Sequence, residues 1–238
     1  MGLIPGHYLH ESLFRARLTE SFKIFYLLFE SLLGMTGKLC TMCRTREAIY
    51  TREYSGERLC EQCLRKSIII KVRKTIGKLK LLERDDKILF VPLGRDLDEP
   101  AFQILSTIES SFPEVSLEII KPELPIGYDE IPRAVREYCR QDAKIILPLF
   151  LDDLVAIFFR YCDTGSPDVL IKRGRLVIAG EDIKNAISPY IEVISREVGV
   201  AWGVKTAENP YLKLAWELED DTPGALYNIY HSYERIIQ

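Results

Sequence analysis

Four cysteines carry the clearest chemistry in this chain. Cys40, Cys43, Cys60 and Cys63 read C-x2-C-x16-C-x2-C. Each C-x2-C closes a tight turn that aims two sulfurs at one ion, and two such turns complete a tetrahedral thiolate site. The spacing is that of a zinc ribbon. The ion expected is Zn²⁺ in a structural role, because four protein ligands leave no open position for a substrate. Two disulfides or buried free thiols are the alternatives. No secretory signal is evident and a reducing compartment is expected, so the metal is favoured. Such an ion stabilises a module too small to build its own core. Cys139 and Cys162 have no C-x2-C partner and are read as buried structural thiols. A catalytic thiol needs a cation or histidine beside it, and His7, His10 and His231 form no recognisable pair with either.

The charge is distributed to match. The formal net charge of −3 hides a split. Residues 1–37 carry three basic and three acidic groups, 38–84 carry 13 and 5, and 85–238 carry 16 and 27. The basic excess therefore sits with the cysteines. At 238 residues, 47% hydrophobic and 28% charged, the chain has the composition of one large globular domain, or one domain and a small module. No apolar run reaches the roughly 18–20 residues that span a bilayer. No membrane span and a cytoplasmic location are expected.

The elements that must position these residues follow from periodicity. Residues 1–37 form an N-terminal extension. Its stretch 21–33 is a helix candidate, and translation starting at Met35 is the other reading. Residues 38–66 are the zinc ribbon, with a small hairpin between its knuckles. Residues 67–84 are a basic linking helix: Ile68, Ile69, Val72, Ile76, Leu79 and Leu82 recur at steps of three and four, and lysines and arginines fill much of the rest. That charged face is either solvated or binds RNA phosphates, with Lys66, Lys71, Arg73, Lys74 and Lys78 as the candidates. From 85 to 238, strand candidates at 88–91, 115–120, 144–147 and 176–179 alternate with helix candidates at 99–111, 133–141, 152–161 and 189–198. The alternation predicts an α/β fold with a doubly wound parallel sheet. Ligands of such sheets sit at the carboxyl ends of the strands, which points to the turn after Val91. That turn reads Pro92-Leu93-Gly94-Arg95-Asp96-Leu97. It has one glycine, a proline without an N–H, and a bulky leucine, a poor cradle for phosphate.

The cysteine module, from Cys40-Thr41-Met42-Cys43 through Tyr54-Ser55-Gly56-Glu57-Arg58-Leu59-Cys60 to Cys63 and the helix segment SIIIKVRKTI at 67–76, closely resembles the tRNA 2-thiouridine synthetases of the TtuA and cytosolic thiouridylase type. These belong to the PP-loop ATP-pyrophosphatase superfamily. Leu151-Asp152-Asp153, Asn209-Pro210-Tyr211 and the segment 217–236, with Pro223-Gly224, extend the resemblance. It implies a zinc module on a PP-loop, adenine nucleotide alpha hydrolase-like domain over 85–238, acting on tRNA.

The departures shape the expected function. The family's SGGxDS loop falls on the turn after Val91, where Gly94, Arg95 and Asp96 are only a remnant. Pro148-Leu149-Phe150 replaces a Gly-His-Asn. The family's paired cysteines have no counterpart, Asn209 stands at the third, and no second zinc ribbon precedes Gln238. The resemblance therefore implies a degenerate member with no catalytic residue assigned. The expectation is structural Zn²⁺, with ATP and an iron–sulfur cluster both discounted. The expected partners are tRNA, and an active paralogue or a second copy of the chain. Two alternatives stand beside it: an active ATP-dependent tRNA sulfurtransferase with an unorthodox loop, and a zinc-dependent RNA- or protein-interaction module unrelated to thiolation.

Overall fold

A computed structural model describes residues 38–236, apart from 113, 140–141, 166–168 and 207–208. The helix expected at 21–33 and the alternative start at Met35 lie outside the described residues. Two short antiparallel strands, β1 (Tyr50–Arg52) and β2 (Glu57–Leu59), form the expected hairpin. Helix α1 (Glu61–Leu79) follows. The rest alternates: β3 (Lys87–Phe90), α2 (Asp98–Glu109), β4 (Ser116–Ile119), a single 3₁₀ turn (Tyr128–Glu130), α3 (Ile131–Tyr138), β5 (Lys144–Ile146) and α4 (Leu151–Thr164). Then come β6 (Val169–Lys172), β7 (Arg175–Ile178), β8 (Glu181–Ile187), α5 (Ser195–Trp202), α6 (Pro210–Asp221) and α7 (Ala225–Ile236).

One six-stranded sheet runs in the order β4-β3-β5-β8-β7-β6. The first four strands are mutually parallel, and β7 and β6 join antiparallel. The sheet is thus doubly wound but mixed. The antiparallel pair exists because the Arg173-Gly174 turn, with φ of 50° and 74°, folds β6 directly onto β7. Two central residues at positive φ give a tight hairpin turn whose twist suits the strands. A crossover helix is not needed.

Helices cover both faces. In β5, Ile145 points into a core shared with α3, α4, α6 and α7. The next residue, Ile146, points into a core shared with α1, α2 and α5. Period-two alternation of this kind lets one buried strand hold two layers together. Cys40, Cys60 and Cys63 belong to that second core, with Leu64, Ile68, Val72 and Phe90. The cysteine module is therefore continuous with the α/β body. Among the described residues, no helix is long and apolar enough to cross a membrane.

Two readings of single elements change. The helix expected at 189–198 begins only at Ser195. Tyr190, Ile191, Val193 and Ile194 instead fill the core as a buried turn, so their apolar clustering reflects burial without helical periodicity. Cys162 is exposed and Cys139 is half-buried. Neither is the fully buried core thiol expected, because Cys162 falls on the outer side of α4 near its end.

Candidate metal centre and the crevice at the strand ends

The four cysteine sulfurs lie within 4.8 Å of one another. Local geometry brings them there. Cys40 O accepts the Arg44 N–H at 2.8 Å, and Arg44 turns the first knuckle at φ 57°. The second knuckle is the start of α1: Cys60 occupies the N-cap position and Cys63 the first turn. The positive end of a helix favours the thiolate form of sulfurs placed there. Cys43 and Cys60 sulfurs stand 3.8 Å apart. That is far beyond a disulfide bond of about 2.05 Å, and it matches the edge of about 3.8 Å expected for a tetrahedron with 2.3 Å metal–sulfur bonds. Hydrogen bonds from the Thr45 side chain and backbone hold the Cys43 thiol down to about 5. Burial, reinforced by the neighbouring sulfurs, pushes Cys63 up to about 12. A bound cation removes that conflict, since it stabilises every thiolate together. The four residues form a metal-binding cluster in a module of zinc-ribbon type.

A buried ion pair fastens this module to the body. Arg52 of β1 donates from Nε to Glu197 Oε1 at 3.0 Å and from a terminal nitrogen to Oε2 at 2.7 Å. Its guanidinium also reaches Ser67 Oγ at 2.8 Å and Glu57 at 3.0 Å. Lys71 joins the same cluster: its Nζ donates to the Tyr54 and Tyr227 hydroxyls at 2.8 and 3.1 Å and lies 3.7 Å from Glu197. Burial lowers the Lys71 pKa. Of the five RNA-binding candidates, Lys71 thus faces inward, while Lys66, Arg73, Lys74 and Lys78 are exposed.

The sheet order places a switch point between β3 and β5, since the chain leaves β3 toward β4 and returns on the other side. Doubly wound folds bind ligands in that crevice. Its walls are the turn after β3 and the segment 147–150 after β5. Gly94 and Arg95 both aim their N–H groups at one anion, and the anion is the chain's own: Asp98 Oδ2 accepts them at 2.7 and 2.8 Å. Burial raises the Asp98 pKa. The Arg95 guanidinium spans the crevice to Asp153 at 2.6 and 3.2 Å and to Pro148 O at 2.6 Å. Tyr128 donates to Asp153 Oδ1 at 2.7 Å, and Phe150 N–H to Oδ2 at 2.8 Å, capping α4. Gly94, at φ 81°, lies under Pro125 so closely that a Cβ would meet it at 2.8 Å. Asp96 is exposed to one side. Sequence reasoning singled out Gly94, Arg95 and Asp153 but missed Asp98 and Tyr128. Asp98, four residues past Gly94 at the start of a helix, sits where a carboxylate caps the preceding turn. That was the available signal.

The neighbouring Asp152 is fully buried. It accepts from Ser195 N at 2.9 Å and Trp216 Nε1 at 2.7 Å, and from the Ser195 hydroxyl. Burial, then the charge of Asp153, pushes its carboxyl up to about 6. The folded state therefore favours the protonated form relative to an unfolded carboxyl near 3.9. Asp152 contributes its stabilisation fully below about pH 4 and loses it as pH rises through about 6. Thermal melts of wild type and Asp152→Asn across this window are expected to show a flatter pH dependence in the variant. An unchanged slope would remove Asp152 as its source.

Fold and cluster together define a doubly wound α/β protein with an N-terminal four-cysteine metal-binding module. Among solved structures, the chain is similar to the U34-tRNA thiolase NcsA from Methanococcus maripaludis with its [4Fe-4S] cluster. The TM-score is 0.60 at 17% sequence identity, over 85% of this chain and 88% of that one. At that identity the likeness establishes a shared fold, and it agrees at that level with the resemblance read from the sequence. No protein-family model matches the chain, and no curated protein does. One expectation is corrected here. An iron–sulfur cluster was discounted, yet four convergent thiolates are the donor set of iron–sulfur centres as well as of zinc. A protein of the same fold is described with such a cluster.

Proposed function

We propose that this chain is a non-catalytic, tRNA-thiolation-related protein that binds tRNA, an active thiouridine synthetase paralogue, or both. One observation carries the reading: the backbone donors of the turn after β3 are engaged by Asp98. A phosphate loop works by presenting such N–H groups to the ligand, free and with room for close approach. Here an internal carboxylate holds them, Pro125 stands close against Gly94, and Arg95 is tied to Asp153. The fold shared with a tRNA thiolase and the exposed basic face of α1 support the tRNA part.

The four cysteines, in this reading, hold a structural centre. All four positions are protein sulfurs, so the centre would contribute folding free energy and order the start of α1. Zinc and an iron–sulfur centre both fit the donor set. Elemental analysis and visible absorption of the purified protein distinguish them.

An active sulfurtransferase is the second reading. It is favoured by the thiolate donor set, which accepts the kind of cluster named for NcsA. Titration of MgATP separates the two. The expected outcome is no binding heat, and no AMP formed when ATP and a tRNA transcript are added together. ATP binding in the low millimolar range or tighter would revive the active reading, and tRNA-dependent AMP release would establish it. Loss of tRNA 2-thiouridine on deleting the gene supports a place in thiolation; unchanged 2-thiouridine with tRNA binding intact favours an unrelated interaction module.

A further inference from the structure

The acidic body places a group of its basic residues beside the end of helix α1. Helix α1 ends where Lys80, at φ 50°, turns the chain away. The β6–β7 turn, Lys172-Arg173-Gly174-Arg175, packs against that end. Gly174 lies on Leu81 and the Ser188 carbonyl, so that a Cβ would meet them at 3.0 and 3.1 Å. Arg173 N–H donates to Glu234 at 2.8 Å, and the Arg175 guanidinium to Lys80 O at 3.2 Å. The turn is therefore held in register with the helix end.

A cavity opens on each side of it. One, of about 400 Å³, is lined by Lys78, Lys172 and Arg173 among others. The second, of about 360 Å³, is lined by Lys80, Arg175 and Lys184. Together the two linings hold eight basic and four acidic residues. Six of those eight belong to 85–238, which has only 16 basic residues against 27 acidic. Stabilising cations at a helix C-terminus account for Lys78 and Lys80, and protection of an edge strand for Lys172. Arg175, which donates to the Lys80 carbonyl, also serves the helix end; neither reason accounts for Arg173 and Lys184, which come from other elements and line the same two cavities. The positive charge continues along α1 through the exposed Lys74 and Arg73.

We infer that the two cavities flanking the β6–β7 turn are an RNA-backbone site, in which Lys78, Lys172 and Arg173 on one side and Lys80, Arg175 and Lys184 on the other contact phosphates. Two basic cavities flanking one packed turn suit the phosphates of a nucleic-acid strand, which are recognised by charge with no base readout. The inference rests on the tRNA-binding reading above and locates its surface.

The test is filter binding of a tRNA transcript over a series of KCl concentrations. In the variant Arg173→Gln/Arg175→Gln/Lys184→Gln, affinity is expected to fall at least about tenfold near 0.1 M salt. The log–log salt slope is expected to drop by about 2 to 3, close to 0.9 for each phosphate that the variant no longer neutralises. Arg173→Lys/Arg175→Lys keeps the charge and is expected to stay within a few-fold of wild type. Metal content and melting temperature, unchanged in both variants, exclude misfolding as the cause. If the triple variant binds with wild-type affinity and slope, this site is wrong while the tRNA reading stands. If wild type binds no tRNA, the tRNA part of the reading and the site fail together, and only binding to a paralogue is left. Wild-type binding to phosphatidylserine vesicles but not to tRNA would likewise overturn the site.

Discussion

Cys60→Ser is expected to release the metal and to loosen the whole layer around α1. Cys60 is a buried ligand at the N-cap of α1, and its sulfur sits 3.8 Å from Cys43. Structural zinc contributes on the order of 10–16 kcal/mol to small thiolate modules, while a whole domain is stable by only about 5–15 kcal/mol. Losing one of four ligands removes most of that contribution and leaves three thiolates crowded together. The damage does not stop at the hairpin, because Cys40, Cys60 and Cys63 share a core with Leu64, Ile68, Val72 and Phe90. Metal per chain is expected to fall from one centre to none, and the cooperative melt to shift downward and broaden. A strong chelator added to wild type should reproduce the effect. Wild-type metal content and melting in the variant would sink the assignment of these ligands.

The second large effect is expected from Glu197→Ala. Glu197 is fully buried and receives a bidentate pair from Arg52, which is itself 4% exposed. It also accepts from the Tyr54 hydroxyl at 3.3 Å, and Lys71 lies 3.7 Å away. Removing the carboxylate strands the buried Arg52 beside the half-buried Lys71, and breaking one side of a buried pair costs about 3–5 kcal/mol. Chemical denaturation of wild type and variant measures it directly. The double variant Arg52→Met/Glu197→Leu removes both charges and should recover much of the loss, because apolar replacement of a buried pair is often neutral. A loss below about 1 kcal/mol in the single variant would show that the pair does not fasten the module to the body.

The alternation that predicted the doubly wound sheet was legible at β3, β4, β5 and β7, where short apolar or β-branched runs stand between polar turns. β8 was not. Glu181, Asp182, Lys184 and Asn185 give it no strand-like run, and only Ala186 and Ile187 are buried at its end. It is a strand because β5 and β7 flank it and satisfy its backbone, a tertiary override of weak propensity. The switch-point crevice shows the same limit. Sequence alone marked the turn after Val91 as a poor phosphate loop, through its proline, its leucine and its single glycine. It did not show what holds the loop's donors.

Sequence by itself determined the metal ligands. Each C-x2-C is a local turn, so spacing alone places two sulfurs together, and two equal pairs specify four. It also determined that positive charge gathers near them. Only the tertiary structure decided which of those charges face solvent: Lys71 lies among its basic neighbours in sequence but turns inward, because Glu197, Tyr54 and Tyr227 arrive from other elements. It alone joined Arg95 to Asp153, 58 residues away. It also carried the β6–β7 turn to the end of α1, where Arg175 meets Lys80 across 95 residues. Local spacing fixes what neighbours in the chain can do together; partners this distant meet only where the sheet order and the helix layers bring them.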